Sequence, residues 1–128
     1  MKTRYATTLA VLAGFALGAV AVQGLYAQAK KTPLYVVTEV DVKDLDPYVK
    51  DYVPRVQALL KKSGGRNIAA GGKAASIEGA PPKRIAISVW ESMEQYQAYR
   101  NQAEFKELRK IGDKHATFRT YTVEGLPQ

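Results

Sequence analysis

The stretch Gly64–Lys73, GGRNIAAGGK, decides what kind of fold this chain can have. It spends four of its ten residues on glycine and ends on lysine, so it reads either as a phosphate cradle or as punctuation between a helix and a strand. A Walker-type loop needs a glycine, four residues, then Gly-Lys and a hydroxyl residue, because the first glycine makes the turn and the hydroxyl holds the metal. Counting back from Gly72-Lys73 puts Asn67 where that glycine belongs, and Ala74 stands where the hydroxyl belongs. A dinucleotide GxGxxG should leave a strand and open a helix, whereas this stretch leaves a helical pattern and enters a strand-like one. The glycines are therefore assigned to backbone geometry. Gly64 or Gly65 ends a helix in the left-handed conformation, and Gly71-Gly72 breaks or bulges a strand centred on Ile68.

Upstream, Leu34–Val42 (LYVVTEVDV) alternates, with Leu34, Val36, Thr38, Val40 and Val42 on one face and Tyr35, Val37, Glu39 and Asp41 on the other. Asp46 offers an N-cap and Pro47 a first helical position; Tyr48, Tyr52, Val56 and Leu59 then fall at helical spacing, with a kink expected at Pro54. Downstream, Ala74–Glu78 reads as an edge-strand extension, Gly79–Pro82 as a turn, and Arg84–Trp90 (RIAISVW) as a strand. Arg84, Ala86, Ser88 and Trp90 share one of its faces. Ser92 with Gln95 is a capping box, and Asn101 with Glu104 repeats it, so two helical pieces meet near Asn101 and run on through Phe105, Leu108 and Ile111 to Gly112. A last strand spans Ala116–Glu124. The order βαββαβ is the α+β ferredoxin-like plan: a four-stranded antiparallel sheet with two helical segments on one face.

That plan leaves one sheet face open. The expected occupants of its central strands, Tyr35, Val37, Ala86 and Trp90, would form an apolar patch that needs a cover. A second copy of the chain supplies a self-complementary one.

The 128 residues suit one domain. Before it, Lys2 and Arg4 precede an uncharged, apolar run that ends at Ala27-Gln28-Ala29, the small-residue pattern of a signal-peptidase site. Residues 1–29 are expected to be a signal helix cleaved before Lys30, leaving a domain of residues 30–128 in the periplasm or secreted, with only transient membrane contact. The alternative is a retained N-terminal anchor. The chain has no cysteine, which removes disulfides and thiolate chemistry. Losing Lys2 and Arg4 lowers the formal charge from +7 to +5, a modest excess that gives no reason to expect nucleic-acid binding.

The opening strand Tyr35–Val40, Asp46-Pro47-Tyr48, Gly64-Gly65-Arg66, Gly71-Gly72, Glu78-Gly79, the strand Arg84–Trp90, Ala103-Glu104-Phe105 and Val123-Glu124-Gly125 together resemble a bacterial family called domain of unknown function 1330. The resemblance covers about residues 34 to 126. It departs from the family pattern at Ala70 and around Gly112, where arginines are common. It implies a dimeric α/β barrel, a homodimer with a cleft between its sheets, and a superfamily that includes cofactor-free monooxygenases. It implies no particular reaction.

Among groups that can carry chemistry, Glu39 lies mid-strand on the expected cleft face and is the one candidate acid/base; a salt bridge to Arg84 is the competing role. Tyr35 and Trp90 are candidates to stack a ligand ring, and Arg84 and Ser88 share Trp90's strand face, so Tyr35, Glu39, Arg84, Ser88 and Trp90 are the expected ligand-binding set. Ser88 lacks a nucleophile setting, His115 stands alone, and the Lys106, Glu107, Arg109 and Lys110 charges read as a solvated helix face. No metal or cofactor is expected. The resulting expectation is an exported homodimer that binds a small, partly apolar molecule between its sheets. The alternatives are a cofactor-free monooxygenase- or isomerase-like enzyme using Glu39, or a structural or assembly domain.

Overall fold

The computed structural model describes residues 32–127, so the expected signal segment and its cleavage point lie outside the described residues. Strand β1, Leu34–Val42, is central because its period-2 pattern supplies an apolar row to bury. It pairs antiparallel with β3, Arg84–Trp90, on one side and with β4, Ala116–Glu124, on the other. Strand β2, Arg66–Gly71, adds antiparallel to β3, giving the four-stranded order β2-β3-β1-β4. This is the α+β ferredoxin-like fold expected from the element order. Residues 74–78 add no edge strand: β3 begins at Arg84, so beyond Gly71 nothing remains for them to pair with, and they belong to the connecting loop.

Three helices cover one face. Helix α1 is composite: a turn at Leu45–Pro47, a π-helical turn at Tyr48–Tyr52, and α-helix Val53–Lys62. Pro54 explains the middle piece. It has no N–H to give to residue 50 and its ring crowds that carbonyl, so the Val53 N–H reaches back five residues to the Tyr48 carbonyl instead. Helix α1 ends at Gly64, whose φ of +95° is the left-handed region that side chains bearing a Cβ resist. Gly65 serves differently: a Cβ there would stand 2.5 Å from the Trp90 ring.

Helix α2, Met93–Asn101, opens as the capping box requires, with the Ser92 hydroxyl accepting from the Gln95 N–H at 3.1 Å; the Gln95 side chain reaches back to the Glu91 N–H rather than to that of Ser92. The break falls at Gln102, which is extended, and helix α3 runs over Ala103–His115. Gly112 does not stop that helix. It is buried inside it, where a Cβ would come within 2.9 Å of Tyr52 and 3.0 Å of Phe118.

The register corrects the expected faces of β3. Leu34 pairs with Trp90, Val36 with Ser88, Thr38 with Ala86 and Val40 with Arg84. Directly opposed residues share a face, so Arg84, Ala86, Ser88 and Trp90 lie under the helices. Trp90 is only 1% exposed, packed against Tyr96 and Tyr99 within its own protomer. Alternation tells which residues of one strand go together but not which face of the neighbouring strand they match, and both faces of RIAISVW carry apolar side chains. The open face instead carries Tyr35, Val37, Ile85, Ile87 and Val89, flanked by the exposed Tyr121 and Val123. It is more uniformly apolar than the expected set.

Candidate functional site

The sheet does not meet its helices flush. A row of small residues, Ala70, Ala86, Thr38 and Thr120, crosses all four strands on the helix side. Larger residues, Val40 and Phe118, stand in the next row. Rigid aromatic side chains descending from the helices cannot fill such a trough, since their planar rings have few allowed shapes. The result is a cavity of about 120 Å³, walled by Tyr48, Tyr52 and Val56 of α1, Tyr96, Tyr99 and Arg100 of α2, Phe105 and Arg109 of α3, and Val36, Thr38, Val40, Arg84, Ala86 and Ser88 of the sheet.

The aromatic wall consists of two ring clusters, Tyr48–Tyr52–Phe118 and Tyr96–Tyr99–Phe105, spanned by Arg109. Ring centroids lie 5.4 Å apart for Tyr48–Tyr52, 5.5 Å for Tyr52–Phe118 and 4.9 Å for Tyr99–Phe105, within the range of favourable ring pairs. Burial raises the Tyr52 phenol to about 12 against the opposing pull of Arg109, and it raises Tyr48 and Tyr99 as well. These phenols therefore stay neutral and can donate hydrogen bonds at ordinary pH.

Three arginines face this wall. Arg84 lies 5.8 Å from the Tyr48 ring centre, and Arg100 lies 4.7 Å from the Phe105 centre while donating to the Tyr96 hydroxyl at 3.0 Å. Arg109 is held between two rings, 3.8 Å from the Phe118 centre and 5.2 Å from that of Phe105. Its Nη1 is buried with no hydrogen-bond partner among the described residues. No described carboxylate lines the cavity. Asp113 instead lines surface grooves together with Arg100 and Arg109, and its charge helps to raise the Tyr52 phenol.

The five expected ligand residues are divided by the sheet. Arg84 and Ser88 line the cavity, and Ser88 accepts a hydrogen bond from Trp90 Nε1 at 3.0 Å. Trp90 is closed into the core and offers no exposed stacking platform. Tyr35 and Glu39 lie on the opposite face, where Glu39 pairs with Arg119 at 3.4 Å rather than with Arg84, because Arg119 is its direct neighbour on β4 and Arg84 stands opposite Val40. His115 is at the end of α3, with Nδ1 3.4 Å from Asp44.

Helical spacing marks Tyr48, Tyr52, Tyr96 and Tyr99 as inward-facing but not as walls of a cavity, and it does not single out Arg100 or Arg109 as lining one. Arg109 reads as part of a solvated charged face with Lys106, Glu107 and Lys110, yet it follows Phe105 by four residues and precedes Gly112 by three. Those spacings put it on the buried side of the helix, and they were the available signal.

A four-stranded antiparallel sheet with helices on one face and an aromatic cavity between the layers defines an α+β, ferredoxin-like small domain. The family model described as "Domain of unknown function (DUF1330)" matches residues 33–126, and the chain belongs to that family. Among solved structures, RPA0582, a protein of unknown function from Rhodopseudomonas palustris, is similar with a TM-score of 0.65 at 12% identity, over 84% of this chain and 93% of that one. SnoaB, a cofactor-independent oxygenase from Streptomyces nogalater, has a TM-score of 0.59 at 11% identity over 76% of this chain and 96% of its own. A dimeric protein of unknown function with a ferredoxin-like fold from Bacteroides fragilis has a TM-score of 0.53 at 15% identity over 72% and 95% of the two chains. Among curated proteins none matches significantly.

Proposed function

We propose that this is an exported, homodimeric binding domain that takes one small, partly apolar molecule into each protomer's cavity between sheet and helices. The single observation that carries the reading is the cavity itself: a partly open, aromatic-lined pocket into which a few polar groups converge, the usual make-up of a small-molecule site. This moves the ligand from the expected inter-sheet cleft to the other side of the sheet. The open face is left for a second copy. In support, it is apolar from Tyr35 to Val89, and the similar Bacteroides fragilis protein is described as dimeric.

Binding without chemistry is favoured over catalysis by the wall's composition. Its polar groups are arginines, neutral phenols, hydroxyls and amides, with no carboxylate or histidine among the described lining residues to take a proton. Glu39, the expected acid/base, is separated from the cavity by the thickness of the sheet. The test is native mass spectrometry of protein recovered from the cell envelope. The expected species is a dimer of chains beginning at Lys30 with a small-molecule adduct on each. The adduct should disappear in Ala86→Leu, which fills the trough while remaining folded. Full-length chains would refute cleavage before Lys30 in favour of a retained anchor, and an adduct indifferent to Ala86→Leu would refute the cavity site.

A further inference from the structure

The geometry points to an anionic ligand: a single-ring carboxylic acid, bound as the carboxylate, with its charge on Arg109 and its ring among the cavity tyrosines. This inference rests on the cavity being the binding site. An arginine cannot shed its charge as a buried lysine can. Arg109 must therefore satisfy a permanent cation, and it does so with the faces of Phe118 and Phe105, while its buried Nη1 has no acceptor among the described residues. Ring faces stabilise a cation but accept no proper hydrogen bond in the guanidinium plane. The two rings hold the guanidinium fixed at the cavity wall, so an entering carboxylate meets a cation that is already oriented, although Nη1 itself is covered.

The rest of the surroundings agree. Arg100 is drawn to the same Phe105 ring, so two like charges share one aromatic partner with no ion pair to a described acid. Placing an anion beside them relieves that repulsion. Asp113, which lines the outer grooves beside Arg100 and Arg109, does not line the cavity. The same two arginines thus stand between an interior free of described carboxylates and the surface grooves. Size sets the body of the ligand: a cavity of about 120 Å³ is close to the ~150 Å³ of an apolar cavity known to take benzene. One ring fits, with the carboxylate directed to the arginine side.

The probes are benzoate and its uncharged counterpart benzyl alcohol, titrated calorimetrically into the purified chain at neutral pH. The wild type should bind benzoate at least about tenfold more tightly than benzyl alcohol, the margin of a charge-assisted hydrogen bond. Arg109→Met should erase that preference, bringing the benzoate affinity down to that of benzyl alcohol. Equal wild-type affinities for the two probes, or a preference that survives in Arg109→Met, would overturn the anionic ligand and leave the cavity reading standing. Binding of neither probe to the wild type would remove both. Should Arg109→Met fail to fold, Arg109→Gln is read by the same criterion, and the wild-type comparison needs no variant at all.

Discussion

Gly112 is where a single residue sets the shape of the cavity. It lets Tyr52 and Phe118 close over α3, and a Cβ would stand 2.9 and 3.0 Å from their rings. Gly112→Val should cost about 2 to 3 kcal/mol by overpacking and weaken ligand binding by displacing both rings, which chemical denaturation and calorimetry would register together. Tyr52 carries a pH prediction. Its phenol titrates near pH 10 in an unfolded chain but is raised to about 12 by burial. The unfolded state therefore loses its proton first as pH rises. The contribution is fully present below pH 10 and is lost between there and about pH 12. Tyr99, shifted in the same direction by the same cause, adds to it. Thermal midpoints should be flat up to about pH 10 and fall beyond it, less steeply in Tyr52→Phe; equal slopes for the two proteins would contradict the assignment.

Among the elements, the strands β1, β3 and β4 were legible residue for residue, because period-2 alternation bounded by turn residues has no helical competitor. Helix boundaries were less so. The Ser92 cap announced α2 correctly, and Ser92→Ala should destabilise the fold by about 1 kcal/mol in denaturant titration. The Asn101 box did not cap α3. Its start is Gln102, whose side chain donates to the Ser63 hydroxyl at 2.8 Å, a contact between residues far apart in the chain that no local pattern announces. The π-turn was foreshadowed by Pro54 as a kink. Which hydrogen bond would replace the lost one was not, because that depends on how Tyr48 and Tyr52 pack below.

On the scale of the molecule, the open sheet face is the feature that asks for a second copy. Val37 lies opposite Ile87 at its centre. Val37→Arg should convert a dimer into monomer or aggregate in sedimentation, since two copies would bring like charges into an apolar contact. Trp90 supplies an internal control. Being buried inside its own protomer, its emission should stay that of an enclosed indole whether or not Val37→Arg separates the copies. A red shift on dissociation would place the dimer contact on the other side of the sheet.

The sequence by itself determined the element order and the helix-ending turn at Gly64, because each rests on periodicity or on residues a few positions apart, and its motifs carried the family resemblance; it misplaced Gly112, which lies inside α3 rather than at its end. The tertiary structure alone decided which face of β3 meets the helices, since a face is shared only through the register between strands far apart in the chain, as in Leu34 opposite Trp90. That choice carried the site with it. It sent Trp90 into the core, set Glu39 apart from Arg84, and aligned Ala70, Ala86, Thr38 and Thr120 into the trough. Four small residues scattered over the chain carry no signal until hydrogen bonding lays them side by side. Only then does the space above them, and the unpaired arginine at its wall, exist as a physical object.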